Sequence, residues 1–129
     1  MIPAMVALYD FNGFLRWNYT VWPEDPRREL RFSRFEAGDT NFVYPAYNGD
    51  VLLSLRYKSL RRGIADYELA CAVAARNGEK ECGRYFDPLL YVKEPYAYYE
   101  AIKNGTLPLH STEWEDFNTV KTALLEALK

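Results

Sequence analysis

The chain has 129 residues, the size of one domain spanning 1–129, and is long enough to bury a sizeable core. With 16 Lys and Arg against 18 Asp and Glu, its net charge of −2 speaks against nucleic acid as a partner, because a phosphate-binding domain would be clearly basic. No stretch reaches the ~18 apolar residues of a membrane span, and the start, Met1 to Asp10, lacks a basic segment followed by a long apolar run; the expectation is a cytoplasmic protein with no membrane partner.

Aromatic residues are the departure from an ordinary composition. Eleven Tyr, seven Phe and three Trp make up 16% of the chain, which supplies either a heavy core or flat surfaces on which ligands such as sugars stack. Cys71 and Cys82 are too few for a disulfide scaffold and, with His110 the single histidine, do not have the spacing of a zinc site. Reduced thiols are therefore expected, with no metal and no other cofactor. Asn18-Tyr19-Thr20 and Asn104-Gly105-Thr106 match the glycosylation sequon, which has no use without a secretory route.

In chain order, Gly13 to Trp22 is dense in β-branched and aromatic residues and is stopped by Pro23, the pattern of a strand. Its alternation puts Leu15, Trp17, Tyr19 and Val21 on one face. Pro23 to Gly38 reads as a long loop in which Arg27, Arg28, Arg31 and Arg34 interleave with Glu24, Asp25, Glu29 and Glu36. Asn41 to Tyr44 is a second short strand, closed by Pro45 and followed by the turn signal Asn48-Gly49-Asp50. The period then lengthens. Tyr57, Leu60, Ile64, Tyr67, Cys71 and Ala74 form the stripe of an amphipathic helix that stops at Asn77-Gly78, and Gly63 within it implies close packing or a ligand's approach. Glu79 to Lys93 is an irregular link in which Leu89 to Val92 is strand or helix. Pro95 and Gly105 bracket a helix over Tyr96 to Lys103, and Thr112-Glu113-Trp114-Glu115 has the form of a capping box opening a last helix with Phe117, Val120, Leu124 and Leu128 buried. The class is α/β, short strands followed by three helices.

Three stretches taken in order resemble the closing portion of family 123 glycoside hydrolases. They are Gly13-Phe14-Leu15-Arg16-Trp17 with Trp22 and Asp25-Pro26, then Gly38-Asp39 to Val43-Tyr44-Pro45, then Ser54-Leu55-Arg56 to Leu60-Arg61-Arg62-Gly63-Ile64-Ala65-Asp66-Tyr67-Glu68. The resemblance is strongest over 13–68. It implies a (β/α)8 catalytic barrel that releases N-acetylgalactosamine, in which the substrate acetamido oxygen attacks the anomeric carbon, an Asp orients that group and an adjacent Glu is the general acid. This chain contains no Asp-Glu dipeptide, so no catalytic residue is assigned. A closed barrel takes about 250 residues, and the resemblance therefore implies a partial barrel, its last strands and helices, whose partners are an N-acetylhexosamine-containing glycan and the rest of the barrel.

In such a barrel the ligand meets the C-terminal ends of the strands, which makes Trp17, Tyr19, Trp22, Asp25, Asp39 and Tyr44 the candidate carbohydrate contacts. Trp22, where Pro23 ends the strand, is either a stacking platform beside a pocket lined by the Pro23 to Gly38 loop or a plug of the rim. Trp17 reads as core, and Trp114 is expected to be buried. Asp25 is either a sugar ligand or the start of an Asp-Pro turn, and Asp39 and Tyr44 carry the same two readings. Alternatives to a contributing barrel segment are a non-catalytic carbohydrate-binding or homo-oligomerising module, and an independent enzyme built on Asp10, Asp25 and Asp39.

Overall fold

Ile2–Leu8 forms a helix, α1, with Pro3 in its first turn, where the missing N–H removes no hydrogen bond. Seven residues are too few to display a helical period, which is why no element is legible here from the pattern of residues alone. The computed structural model of the chain describes residues 1–16 and 18–129. These divide into two compact units, one of 1–14 and 62–129 and the other of 15–61.

In the first unit the core gathers Ala4 of α1, Ala70, Val73 and Ala74 of a long helix α2 (Leu55–Arg76), Phe86 and Leu89 of a 3-10 segment (Gly83–Leu89), and Val120 and Leu124 of a final helix. Small residues make this packing close. A Cβ on Gly83 would stand 2.5 Å from the Ala7 carbonyl oxygen and 2.8 Å from the Leu8 Cα, so α1 can cross the 3-10 segment only over a glycine. A Cβ on Gly63 would stand 3.0 Å from Pro3, which accounts for a glycine inside α2 by helix packing rather than by a ligand. The stripe read for α2 needs correction: Ile64 is exposed, and the fully buried positions are Ala70 and Val73. The buried face is turned by roughly one residue, about 100°, from the line of large side chains, because alanine lets the neighbouring elements come closest.

After α2, the run from Leu89 enters an isolated bridge, Leu90 with His110, in which Tyr91 N donates to Leu109 O and Ser111 N to Leu89 O. Helix α3 (Pro95–Lys103) lies where Pro95 and Gly105 predicted it. The last helix, α4 (Trp114–Ala127), begins as expected but with different chemistry. Thr112 does not cap it. Ser111 Oγ instead accepts from Glu113 N at 3.1 Å and donates to Asp116 Oδ2 at 2.5 Å, so the buried serine links the chain before the helix to its first turn. Trp114 is 61% exposed, contrary to expectation. At 100° per residue it sits roughly 90° from the middle of the Phe117, Val120 and Leu124 stripe, so its ring misses the core. Lys121 of α4 pairs with the largely buried Asp66 of α2 at 2.9 Å, a closer partner than Arg62, whose Nε is 3.9 Å away.

The second unit is built on an antiparallel hairpin of β1 (Val43–Pro45) and β2 (Val51–Leu53), with Val43 opposite Leu53 and Pro45 opposite Val51. Asn48 closes the turn, its Oδ1 accepting from Asp50 N and its Nδ2 donating to Asp50 Oδ2 at 2.7 Å. The expected strand from Gly13 to Trp22 is not formed among the described residues. There the chain makes a single bridge, Thr20 with Asn41, and Leu15 is exposed. Alternating residues report two unlike environments, and a strand also needs a neighbour along its whole length. The observed class is mixed helix and strand, with one two-stranded sheet among the described residues.

Candidate functional site

The second unit brings most of the sequence-predicted contacts onto one framework, the segment Tyr19 to Trp22 laid along Thr40 to Val43. Phe42 N donates to Tyr19 O at 3.0 Å, and the Thr40 hydroxyl donates to Val21 O at 2.7 Å. Thr40, Asn41 and Phe42 are buried, so the clamp is an internal one. Tyr19 lies flat on the Phe42 ring, with centroids 5.5 Å apart and planes 13° from parallel. Tyr19 itself is 47% exposed: one face rests on a buried ring while part of the side chain meets solvent.

Trp22 is half-buried, and its indole Nε1 donates to Val43 O at 2.8 Å. The reason lies in the hairpin. Carbonyls alternate along a strand, and those of Phe42 and Tyr44 point to β2, which leaves Val43 and Pro45 facing the outer edge of β1. Trp22 satisfies the first of these, and Arg27 Nη2 satisfies the second at 3.0 Å while its guanidinium stacks 3.5 Å from the centre of the Tyr47 ring. Arg27 was not singled out by the sequence, where it reads as one of four arginines in a solvated loop. Nothing local distinguishes it, since its role depends on where a carbonyl 18 residues later points.

The two aspartates have structural partners. Asp25 Oδ1 accepts from Arg27 N at 3.2 Å, and the Asp25 carbonyl accepts from Glu29 N at 2.9 Å, which makes it the head of a turn with Arg28 as a distant ion-pair partner at 3.6 Å. Asp39 pairs with Arg16 at 2.7 Å, and the same guanidinium donates to the Asp39 carbonyl. Tyr44 is half-buried in β1 opposite Leu52. Trp17 lies outside the described residues. The framework thus unites Tyr19 and Trp22 with β1, and it ties down the carboxylates of Asp25 and Asp39 rather than aiming them at one another. The buried Asn18 side chain is held inside, so its sequon is closed to modification in the folded chain.

A family model described as glycoside hydrolase 123, catalytic domain, matches residues 1–72, more than half of the 129 residues. The chain belongs to this family. No curated protein and no solved structure matches it. The glycoside hydrolase 123 match takes in α1 and the whole second unit, so Tyr19, Trp22, Asp25, Asp39 and Tyr44 all lie within it. It stops before the 3-10 segment, α3 and α4.

Among the described residues, two depressions of the first unit stand out, and neither is lined by the Pro23 to Gly38 loop expected to form a pocket beside Trp22. One holds about 20 Å³ beside the Asp66 and Lys121 pair, space for little more than a water molecule. The other is an open cleft of about 290 Å³ between Tyr85, Tyr91 and Asp116, at the small end of ligand sites. The Tyr85 hydroxyl there donates to Glu79 Oε2 at 3.0 Å, and Asp116 is engaged by Ser111. Two of the polar groups that line that cleft are therefore already engaged within the fold.

Proposed function

We propose that this chain contributes carbohydrate contacts to a glycoside hydrolase 123-type catalytic barrel, the parent activity being hydrolysis of N-acetylgalactosaminides, and that it does not hydrolyse glycosides by itself. The observation that carries the reading is the Tyr19 ring stacked on buried Phe42 within the family-matched residues. A sugar offers a face of C–H groups, and a ring already held flat by a second aromatic loses little side-chain freedom when a sugar lies on it. Trp22 would supply a second apolar surface by its ring alone, since its N–H is held by Val43. The lack of an Asp-Glu dipeptide supports the division between contact and catalysis, because the substrate-assisted route needs one carboxylate to orient the acetamido group and another to protonate the leaving oxygen.

The test combines binding with turnover. Titrating the full chain with N-acetylgalactosamine should perturb aromatic resonances in nuclear magnetic resonance spectra, and Tyr19→Ala should abolish the response while the remaining spectrum stays folded. Chromogenic N-acetylgalactosaminide should show no turnover above buffer. A response unchanged by Tyr19→Ala, or turnover removed by replacing one carboxylate, refutes the reading.

A second reading, a homo-oligomerising module, is favoured by β2, where Val51, Leu52 and Leu53 are all exposed in succession. A strand apolar on both faces is the kind that sheets bury on both sides, and either the rest of a barrel or another copy of the chain would cover it.

A further inference from the structure

The first unit brings together two thiols that lie on opposite sides of the end of the family match. Cys71 sits near the end of α2, within the matched residues 1–72, and Cys82 immediately precedes the 3-10 segment outside them. Both are free, and their Sγ atoms are 2.8 Å apart. A sulfur–sulfur bond is ~2.05 Å long, so joining them brings the two sulfur atoms about 0.8 Å closer than they already stand. The intervening chain is already folded back: Asn77 N donates to Val73 O at 3.0 Å and Glu79 N to Ala74 O at 2.8 Å. Tyr85 fastens the return, its hydroxyl donating to Glu79 and accepting from Asn77 Nδ2 at 3.0 Å.

We propose that Cys71 and Cys82 are a redox-active dithiol, oxidised to an intramolecular disulfide by a small-molecule disulfide, and that the bond ties the family-matched segment to the rest of the chain. Entry is at Cys71, which is half-buried, whereas Cys82 is 8% exposed and shielded from a reagent of peptide size. The Cys71 thiolate attacks one sulfur of the reagent, a bond forms to Cys71 as the reagent's sulfur–sulfur bond breaks, and one small thiolate leaves. Cys82 then gives up its proton, attacks Cys71 Sγ and expels the second small thiolate. The two protons released by the protein end on the two leaving thiolates, so two cysteines are oxidised while one small disulfide is reduced to two thiols. Burial first, then the hydrogen bond and charge of the neighbouring Cys71, pushes the Cys82 thiol up to about 12, which makes it the weaker attacking group and agrees with entry at Cys71. The Tyr67 hydroxyl, one turn before Cys71, is raised first of all by its hydrogen bond to that thiol and stays a phenol beside the pair.

The experiment incubates the reduced full chain with oxidised glutathione without denaturant, then measures free thiols, intact mass, non-reducing peptide maps and the thermal midpoint. The expected result is loss of both thiols together, a mass lower by two hydrogens, a Cys71–Cys82 linked peptide and a Tm raised by roughly 5–10 °C, as short-loop disulfides give. Cys82→Ser should stop at a glutathione adduct on Cys71, and Cys71→Ser should leave Cys82 unmodified. In the unaltered chain, a stable adduct on Cys71 with Cys82 still a free thiol overturns the proposal, as does a linked peptide that forms only in denaturant.

Discussion

Trp22 uses the polar atom of its side chain inside the fold, and that decides what the residue can offer a ligand. Its N–H covers the outward carbonyl of Val43, and its side chain as a whole is half-buried. The two roles separate by substitution. Trp22→Phe keeps an aromatic surface and leaves the carbonyl to water, an expected loss of about 1 kcal/mol. Trp22→Ala removes the ring as well and should cost roughly 2–3 kcal/mol, less than a fully buried aromatic because the side chain is only half-buried. Urea unfolding measures both, and equal losses would mean that the ring contributes nothing. Trp114 teaches the same lesson from the other side: it follows a helix start and precedes an apolar stripe, yet a quarter turn about the helix axis leaves it in solvent. Asp25 and Asp39 are held by an N–H and by arginines, so the independent enzyme built on them gains no support from their placement.

Among the elements, α4 shows how a correct boundary can rest on the wrong residue. Thr112 and Glu115 satisfy the spacing of a capping box, but Ser111 is the buried hydroxyl and the one that contacts both Glu113 N and Asp116. Ser111→Ala should therefore destabilise the chain by about 1 kcal/mol, whereas Thr112→Ala should be close to neutral. Chemical denaturation gives the two values, and hydrogen exchange should show the added opening confined to the first turn of α4. A larger effect for Thr112→Ala would return the cap to the residue that the sequence pattern favours. In α2 the alternating spacing located the helix and its stop well, but it followed the bulky residues rather than the alanines on which the core closes.

For the whole molecule, the three consecutive exposed apolar residues of β2 are the most evident unmet demand. Leu55, the first residue of α2, is exposed too, and among the described residues β2 pairs on one side only. Concentration-dependent self-association is the expected outcome, read by light scattering, and Leu52→Lys should weaken it by placing a charge on the strand. A monomer at every concentration, with the same mass for Leu52→Lys, would mean that this surface is tolerated in water as it stands.

The sequence by itself determined the features whose cause is local. Asn48-Gly49-Asp50 makes its own turn, the period from Tyr57 onward makes α2, Pro95 and Gly105 delimit α3, and the ordered run of aromatic and arginine motifs marks the family that the match over residues 1–72 shows. Tertiary structure decided what depends on a distant neighbour. The segment from Gly13 to Trp22 has a strand's composition but, among the described residues, meets a pairing partner only at Thr20; α1 owes its seat to Gly63 and Gly83, far along the chain; and Arg27 gained a role from the direction of the Pro45 carbonyl. Turns and helices satisfy their backbone groups within a few residues, so their signals lie in a short window of sequence. A strand's ladder, a helix's buried face and a side chain's partner are set by residues tens of positions away, and no local pattern contains them.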